Sequence, residues 1–257
     1  MLVSYFTHTG KVRKNNEDAI LINNILIAQE DMNDYKLIEV ALNSNQSMIF
    51  AVADGMGGHS KGEVASFLVL DYLRKNFQKI EHKKSLINIL QGAKNTLNQY
   101  VKENPTAYGM GTVIAGMMIS SGNFIIFNVG DARIYHHKNH FTKRISKDHS
   151  VVEELKDRGF ITEEEVRTHH QKHIITSSIS GDREEIIPMI FIKEFDEEFF
   201  QDSKVLICSD GLWEMLTEQE IHLCLEQSDL KINSYCLKNK AFLNGAFDNI
   251  SFILIQF

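Results

Sequence analysis

The chain has 257 residues, 43% of them hydrophobic, and a formal net charge of −7 at pH 7. That is enough apolar material for a sizeable core, and it leaves no basic footprint for nucleic acid or an anionic membrane surface. No apolar run is long enough to span a bilayer and the N-terminus lacks a leader's apolar stretch, so a soluble cytoplasmic protein is expected.

Only Pro105 and Pro188 punctuate the chain, and no low-complexity stretch divides it, so one domain is expected over residues 1–257. The segment RKNNED places Arg13, Glu17 and Asp18 just before a strand predicted over 18–28. A strand over 47–53 runs into DGMGGHSKGE. Amphipathic helices follow over 61–78, with Val64, Phe67, Leu68, Tyr72 and Leu73 on one face, and over 85–103. Ser60-x-x-Glu63 matches a capping box and starts the first of them. Strands over 112–119, 123–129 and 132–137 come in close succession, turned at Ser121-Gly122 and Lys138-Asn139, and must pair antiparallel. Residues 148–181 are charged, with two short helices, one begun by the capping box Thr162-x-x-Glu165, and could form a mobile appendage near the site. Strands over 186–193, 204–209 and 250–257 complete the chain, with a further capping box at Thr217-x-x-Glu220. Paired helices beside runs of antiparallel strands predict α+β layers rather than a doubly wound parallel sheet.

Cys208, Cys224 and Cys236 are odd in number and lack C-x-x-C spacing. They read as core thiols in a reducing compartment, not as a disulfide framework or a thiolate zinc site.

Acids recur at strand ends. Asp54-Gly55 follows one apolar strand and Asp210-Gly211 another, Asp131 stands between two strands, and Asp248 precedes the last. Taken singly, each Asp-Gly is ordinary turn chemistry. Several carboxylates held rigidly and converging would need a cation to offset their repulsion, and oxygen donors without thiolates favour Mg²⁺ or Mn²⁺ over zinc. A phosphate cradle of backbone amides at the glycines is the competing reading. Asp54 would repel the anion there, and no Lys-Ser/Thr completes a Walker loop.

In order, RKNNED, VADGMGGH, GTVIAG, NVGDARIY, DHS, CSDGLWE and FDNISFILI resemble the motifs of the metal-dependent protein serine/threonine phosphatases, the type 2C or PPM family, in its bacterial branch. The resemblance implies a four-layer αββα sandwich, with two packed antiparallel sheets flanked by helices and a metal cleft at one edge. It also implies phosphoserine and phosphothreonine hydrolysis by a metal-activated water. By that likeness Asp54 would bridge two ions, with the Gly55 carbonyl and Glu17, through water, serving one and Asp210 and Asp248 the other. Asp18 would orient the attacking water and Arg13 would hold the substrate phosphate. Bacterial relatives often bind a third ion, which Asp131 with Asp210 would supply, and residues 148–181 would be the flap. Implied partners are phosphoproteins, such as a bacterial serine/threonine kinase and its targets, met by a monomer.

Three features depart from the family pattern. Met56 stands where many eukaryotic members carry a His thought to be the general acid, which leaves His59 as a candidate proton donor beside a structural role for it. The flap reads His169-His170-Gln171-Lys172-His173, and Ser177, where relatives commonly have His-Pro and an Arg. These three His lack the H-E-x-x-H spacing of a zinc helix. Trp213 reads as a core anchor, and Cys208, without a partner base, as no nucleophile. A phosphatase of small-molecule esters and a non-catalytic binding module are the alternatives. The second fits poorly, because every expected acid is present.

Overall fold

The computed structural model describes residues 1–41, 47–56, 61–120, 122–181 and 188–257. Two antiparallel sheets face each other. The first runs β4 (Lys36–Glu39), β1 (Leu2–His8), β13 (Ile250–Gln256), β12 (Lys204–Cys208), β8 (Arg133–Lys138), β9 (Phe141–Arg144). The second runs β11 (Phe191–Asp196), β7 (Asn123–Val129), β6 (Gly111–Ser120), β5 (Met48–Met56), β2 (Asp18–Ile22), β3 (Ile25–Ala28), and β10 (Ile179–Ser180) adds to β6.

Strand alternation builds the layers. Along β5, Phe50 and Val52 enter the core between the sheets, while Ile49, Ala51 and Ala53 enter a second core under α1 (Gly62–Asn76) and α2 (Lys83–Glu103). On the far side α7 (Glu218–Leu225) and α8 (Leu230–Leu243) cover the first sheet. The expected four-layer αββα sandwich of the α+β class is therefore observed. Among the described residues no helix is long and apolar enough to cross a membrane.

Several boundaries moved. The strand expected over 18–28 is a hairpin, β2 and β3, turned at Asn23, which has φ 54°. The turn between β8 and β9 is Asn139-His140, both with positive φ (51° and 61°), one residue later than the expected Lys138-Asn139 and of the kind that matches strand twist. The strand expected over 186–193 begins later, as β11 at Phe191. The Ser60 cap, Ser121 and residues 186–187 lie outside the described residues. The boxes at Thr162 and Thr217 cap α4 (Glu163–Thr168) and α7 as expected.

The cysteine reading needs correction. Cys208 is a buried thiol, but Cys224 and Cys236 are disulfide-bonded, with Cα atoms 5.4 Å apart. Packing of α7 against α8 brings together residues 12 apart, which linear spacing does not display.

Phe50 is fully buried between the sheets. Phe50→Ala is expected to cost about 3–5 kcal/mol through lost transfer energy and the cavity left behind. Denaturant unfolding followed by circular dichroism measures it.

Candidate active site

Antiparallel pairing collects the acids. Asp18 opens β2 directly opposite Asp54, near the end of β5. Asp131 lies in the turn between β7 and β8, Asp210 opens α6 (Asp210–Trp213) straight after β12, and Asp248 stands two residues before β13. Because β12 runs antiparallel to β8 and β13, and β5 to β2 and β6, these strand entries and exits fall at one edge of the sandwich.

Arg13, Glu17, Asp54, Gly55, Asp210 and Asp248 line one cleft of about 450 Å³, with Met56 on its wall. Asp18 lies at its base, only 1% exposed. Asp131 opens on a smaller neighbouring cavity of about 110 Å³ with Arg133, Asp148, Arg167 and Trp213. It still belongs to the same electrostatic cluster, because its charge is felt by Asp54, and that of Asp210 by Asp131.

The cluster cannot hold its full negative charge unaided. Burial, then the charge of Asp248, pushes the Asp210 carboxyl up to about 7. Burial raises Asp18 to about 7 as well, against the pull of hydrogen bonds from Ser251 and Ser209. Asp54 is raised by burial and then by Asp210, Asp18, Asp131 and Asp248; Asp131 by burial, Asp210 and Asp148, with Arg133 opposing. Glu17 is raised by burial and Glu63. Two unit charges 4 Å apart repel by about 4 kcal/mol at an effective dielectric of 20, so protons or cations must compensate the site. Protein cations compensate part of it: the Arg13 guanidinium, 57% exposed, pairs with Asp248 at 2.5 Å, Lys14 also lines the cleft, and Arg133 opposes the charge of Asp131.

The supports are built in. Ser209 Oγ donates to Asp18 Oδ2 at 2.8 Å, while Asp18 Oδ1 is buried with no hydrogen-bond partner. Asn249 ties the RKNNED segment down: its Oδ1 accepts from Glu17 N at 2.8 Å, and its Nδ2 donates to the carbonyls of Thr9 and Asn15, both at 2.9 Å. Ser66 Oγ, in α1, donates to the Glu17 carbonyl at 2.6 Å, and Thr112 Oγ1 to that of Asp54 at 2.7 Å. Gly55 is required by close approach, since a Cβ there would collide with the backbone oxygens of Gly62 and Glu17. Gly211 is required likewise by the Asn249 carbonyl.

Residues 148–181 are docked rather than loose, with α3 (Val151–Asp157), α4 and β10 as their ordered elements. Arg133 bonds Asp148 (2.7 Å) and stacks 3.5 Å over the Trp213 ring, whose Nε1 donates to the Asp131 carbonyl at 3.0 Å. Arg167 reaches back to the carbonyls of Trp213 (3.1 Å) and Leu216 (2.9 Å), and His173 pairs with Glu214 at 3.1 Å. Trp213 is therefore the anchor expected, with a polar duty added.

Every predicted site residue comes to this edge: Arg13, Glu17, Asp18, Asp54, Gly55, Asp210 and Asp248 around the cleft, and Asp131 beside it. His59 lies outside the described residues. Sequence reasoning gave no role to Asn249, Ser209, Ser66 or Arg133. The adjacency of Asn249 to Asp248 and of Ser209 to Asp210 was the available signal. The donor set suits a hard divalent cation, since the lining acids and the Gly55 backbone offer oxygen only, with an unpartnered carboxylate oxygen at the base.

The chain is similar to known proteins in sequence and in fold. A family model described as protein phosphatase 2C matches residues 29–230. The chain is 28% identical over 264 aligned residues to a serine/threonine phosphatase of Listeria monocytogenes, covering 100% of this chain and 96% of that protein. The crystal structure of a serine/threonine phosphatase from Staphylococcus aureus superposes with a TM-score of 0.80 at 32% identity, covering 100% of this chain and 95% of that one. A crystal structure of the catalytic domain of the phosphatase PstP, described as a complex with 2 manganese ions, superposes at TM-score 0.74 and 26% identity, with coverage of 99% and 98%. With its motifs in order and its acids gathered at one edge of a paired-sheet sandwich, the chain belongs to the protein phosphatase 2C family.

Proposed function

We propose that this chain hydrolyses phosphoserine and phosphothreonine in proteins, using two divalent ions, Mn²⁺ or Mg²⁺, held by Asp54, the Gly55 carbonyl, Glu17, Asp210 and Asp248. The observation that carries the reading is the cluster of buried acids whose charge the described side chains do not balance. Asp131, which opens on the adjoining cavity and whose carboxyl is raised by burial and by the charge of Asp210, supports a third ion there. Bound in the cleft, such ions supply neutralising charge and lower the pKa of water towards neutrality.

The protein's own groups do the rest. Arg13, exposed at the rim, turns its planar fork from Asp248 to the phosphoryl oxygens of the substrate. Asp18 has one oxygen fixed by Ser209 and the other free to accept a hydrogen bond from the attacking water. Met56 lines the cleft with a thioether that has no proton to give, so the leaving alkoxide takes its proton elsewhere. A general acid contributes typically 10²- to 10⁴-fold, a minor share of the ~10²¹-fold acceleration reached for phosphate monoesters.

Residues 148–181 act as the flap beside the cleft. Substrates are phosphoproteins, a bacterial serine/threonine kinase and its cytoplasmic targets among them, and the bacterial sources of the relatives support that class. All the site acids come from one chain, which supports a monomer as the working unit.

Phosphate release from a phosphothreonine peptide should depend on Mn²⁺ and stop in excess EDTA; undiminished turnover in chelator would overturn the reading, and faster turnover of nucleotides or sugar phosphates would move it to small-molecule esters. Asp210→Asn should lower kcat at least about 100-fold while far-UV circular dichroism stays unchanged. Arg13→Ala should lower kcat/KM by about 100-fold, with Arg13→Lys recovering only part because a point charge replaces the fork.

The pH dependence has a definite sign. Without ions, Asp18 and Asp210 are held near 7 against an ordinary 3.8, so the folded chain retains protons that the unfolded chain has lost. Stability in chelator should fall as pH rises from 3.8 towards about 7 and then level off. Protons compete with metal below about 7, so Mn²⁺ should raise Tm more at pH 8 than at pH 6. Calorimetric scans with EDTA and with Mn²⁺ at both pH values check this.

A further inference from the structure

A second constellation lies at the other end of the first sheet. His137 ends the inward part of β8, His140 sits in the tight turn after it, and Thr142 follows in β9. Facing them, His222 and Glu226 stand four residues apart on one face of α7, Glu226 at its C-terminal cap. One ligand atom from each of His137, His222 and Glu226 lies within 4.8 Å of the others.

The hydrogen bonds orient both rings. Thr142 Oγ1 lies 2.8 Å from His137 Nδ1 and 3.1 Å from His222 Nδ1. The hydroxyl's two lone pairs can accept from both Nδ1–H groups, and in that tautomer both Nε2 atoms carry lone pairs. Those atoms stand 3.6 Å and 4.0 Å from Glu226 Oε2, which is buried and accepts no hydrogen bond. The other carboxylate oxygen is in contact with His140 Nδ1. In that tautomer three lone-pair donors converge with no donor hydrogen between them.

The separations discriminate between a shared proton and a shared ion. A hydrogen bond would draw the heavy atoms to about 2.7–3.2 Å. Ligands on a tetrahedral Zn²⁺, with bonds of about 2.0–2.1 Å, stand about 3.3–3.4 Å apart. The two His–Glu gaps, 3.6 Å and 4.0 Å, are nearer the second, and closing them needs about 0.2–0.7 Å. The Lys204 ammonium near His137 is held by the carbonyls of Leu225 and Gln227.

We propose that His137, His222 and Glu226 form a second metal site, selective for a borderline cation of the Zn²⁺ type, with Thr142 fixing the two rings and His140 steadying the carboxylate. Imidazole with one carboxylate suits Zn²⁺, whereas the all-oxygen cleft suits Mn²⁺ or Mg²⁺. The two places are separate. His137 pairs with Lys204 at the start of β12, while Asp210 follows its end, and His137 is four residues along β8 from Arg133, roughly 13 Å at 3.3 Å per residue. An ion here would clamp α7 to the β8–β9 hairpin. The inference uses none of the acids of the cleft, so it stands or falls independently of the phosphatase reading.

The test is calorimetric titration of the full chain with Zn²⁺ in saturating Mg²⁺, which occupies the oxygen cleft, together with the visible absorption of Co²⁺ substituted for zinc. One equivalent of Zn²⁺ should bind at micromolar concentration, and Co²⁺ should give the intense spectrum of a tetrahedral site. His222→Gln and Glu226→Gln should each weaken binding more than about 100-fold, and Thr142→Val by about 10- to 100-fold. Phosphatase turnover with Mn²⁺ and no zinc should be unchanged in all three. Failure of the parent chain to take up Zn²⁺ would overturn the proposal. So would uptake by His222→Gln and Glu226→Gln as tight as the parent's, which would place the zinc in the cleft. Circular dichroism of each variant confirms the fold, and if one misfolds the other two decide.

Discussion

Like charges buried together constrain everything else in this molecule. Asp18, Asp54, Asp131 and Asp210 are packed at one edge of two sheets, where burial and the charges of nearby acids raise the affinity of all four for protons. A sandwich can tolerate such a cluster only if its backbone is rigid and its charge is offset. Rigidity comes from the ladders on either side, with Asp18 and Asp54 on paired positions of β2 and β5. The offset is only partly supplied by protein, through Arg13 at the rim and Arg133 beneath Asp131. The chemistry of the cleft follows from what is left uncompensated.

Arg133 shows how the cluster reaches beyond itself. Its guanidinium bonds Asp148 at the start of the 148–181 segment, stacks on Trp213 and tempers Asp131. Arg144 joins the same acid at 2.9 Å and Glu153 at 2.9 Å, so a buried ionic network roots the start of the segment, alongside the apolar packing of Val152 and Ile179. Charge thus positions the wall of the site as well as its floor.

Most of the architecture was legible in the sequence because the central strands alternate cleanly and the two long helices have one apolar face. What escaped has identifiable causes. Residues 2–8 were not read as a strand because Ser4 and Thr7 interrupt the run; both are buried and satisfied, by Ser234 at 2.7 Å and Ser251 at 2.8 Å. The last helix was missed because Ile232, Tyr235 and Leu243 are exposed while Asn233 and Ser234 are buried, which inverts the usual pattern. The acids of the cleft stood out because each adjoins a glycine or a strand boundary. His137, His222 and Glu226 carry no such mark. Only the docking of α7 on the β8–β9 hairpin joins them, whereas the conspicuous contiguous run HHQKH contributes none of its His residues to that cluster. The Cys224–Cys236 pair was hidden for the same reason.

The Asn249 knot bears on when the cleft comes into being. Its bonds to Thr9, Asn15 and Glu17, and the Arg13–Asp248 pair, join positions separated by 232 to 240 residues. Closing so long a loop yields nothing until both sheets exist, so this edge belongs to the last contacts formed rather than to the nucleus. A partly folded chain therefore has strands and helices but no competent cleft. The same geometry keeps a nascent chain from acting on phosphoproteins before β13 has docked beside β1.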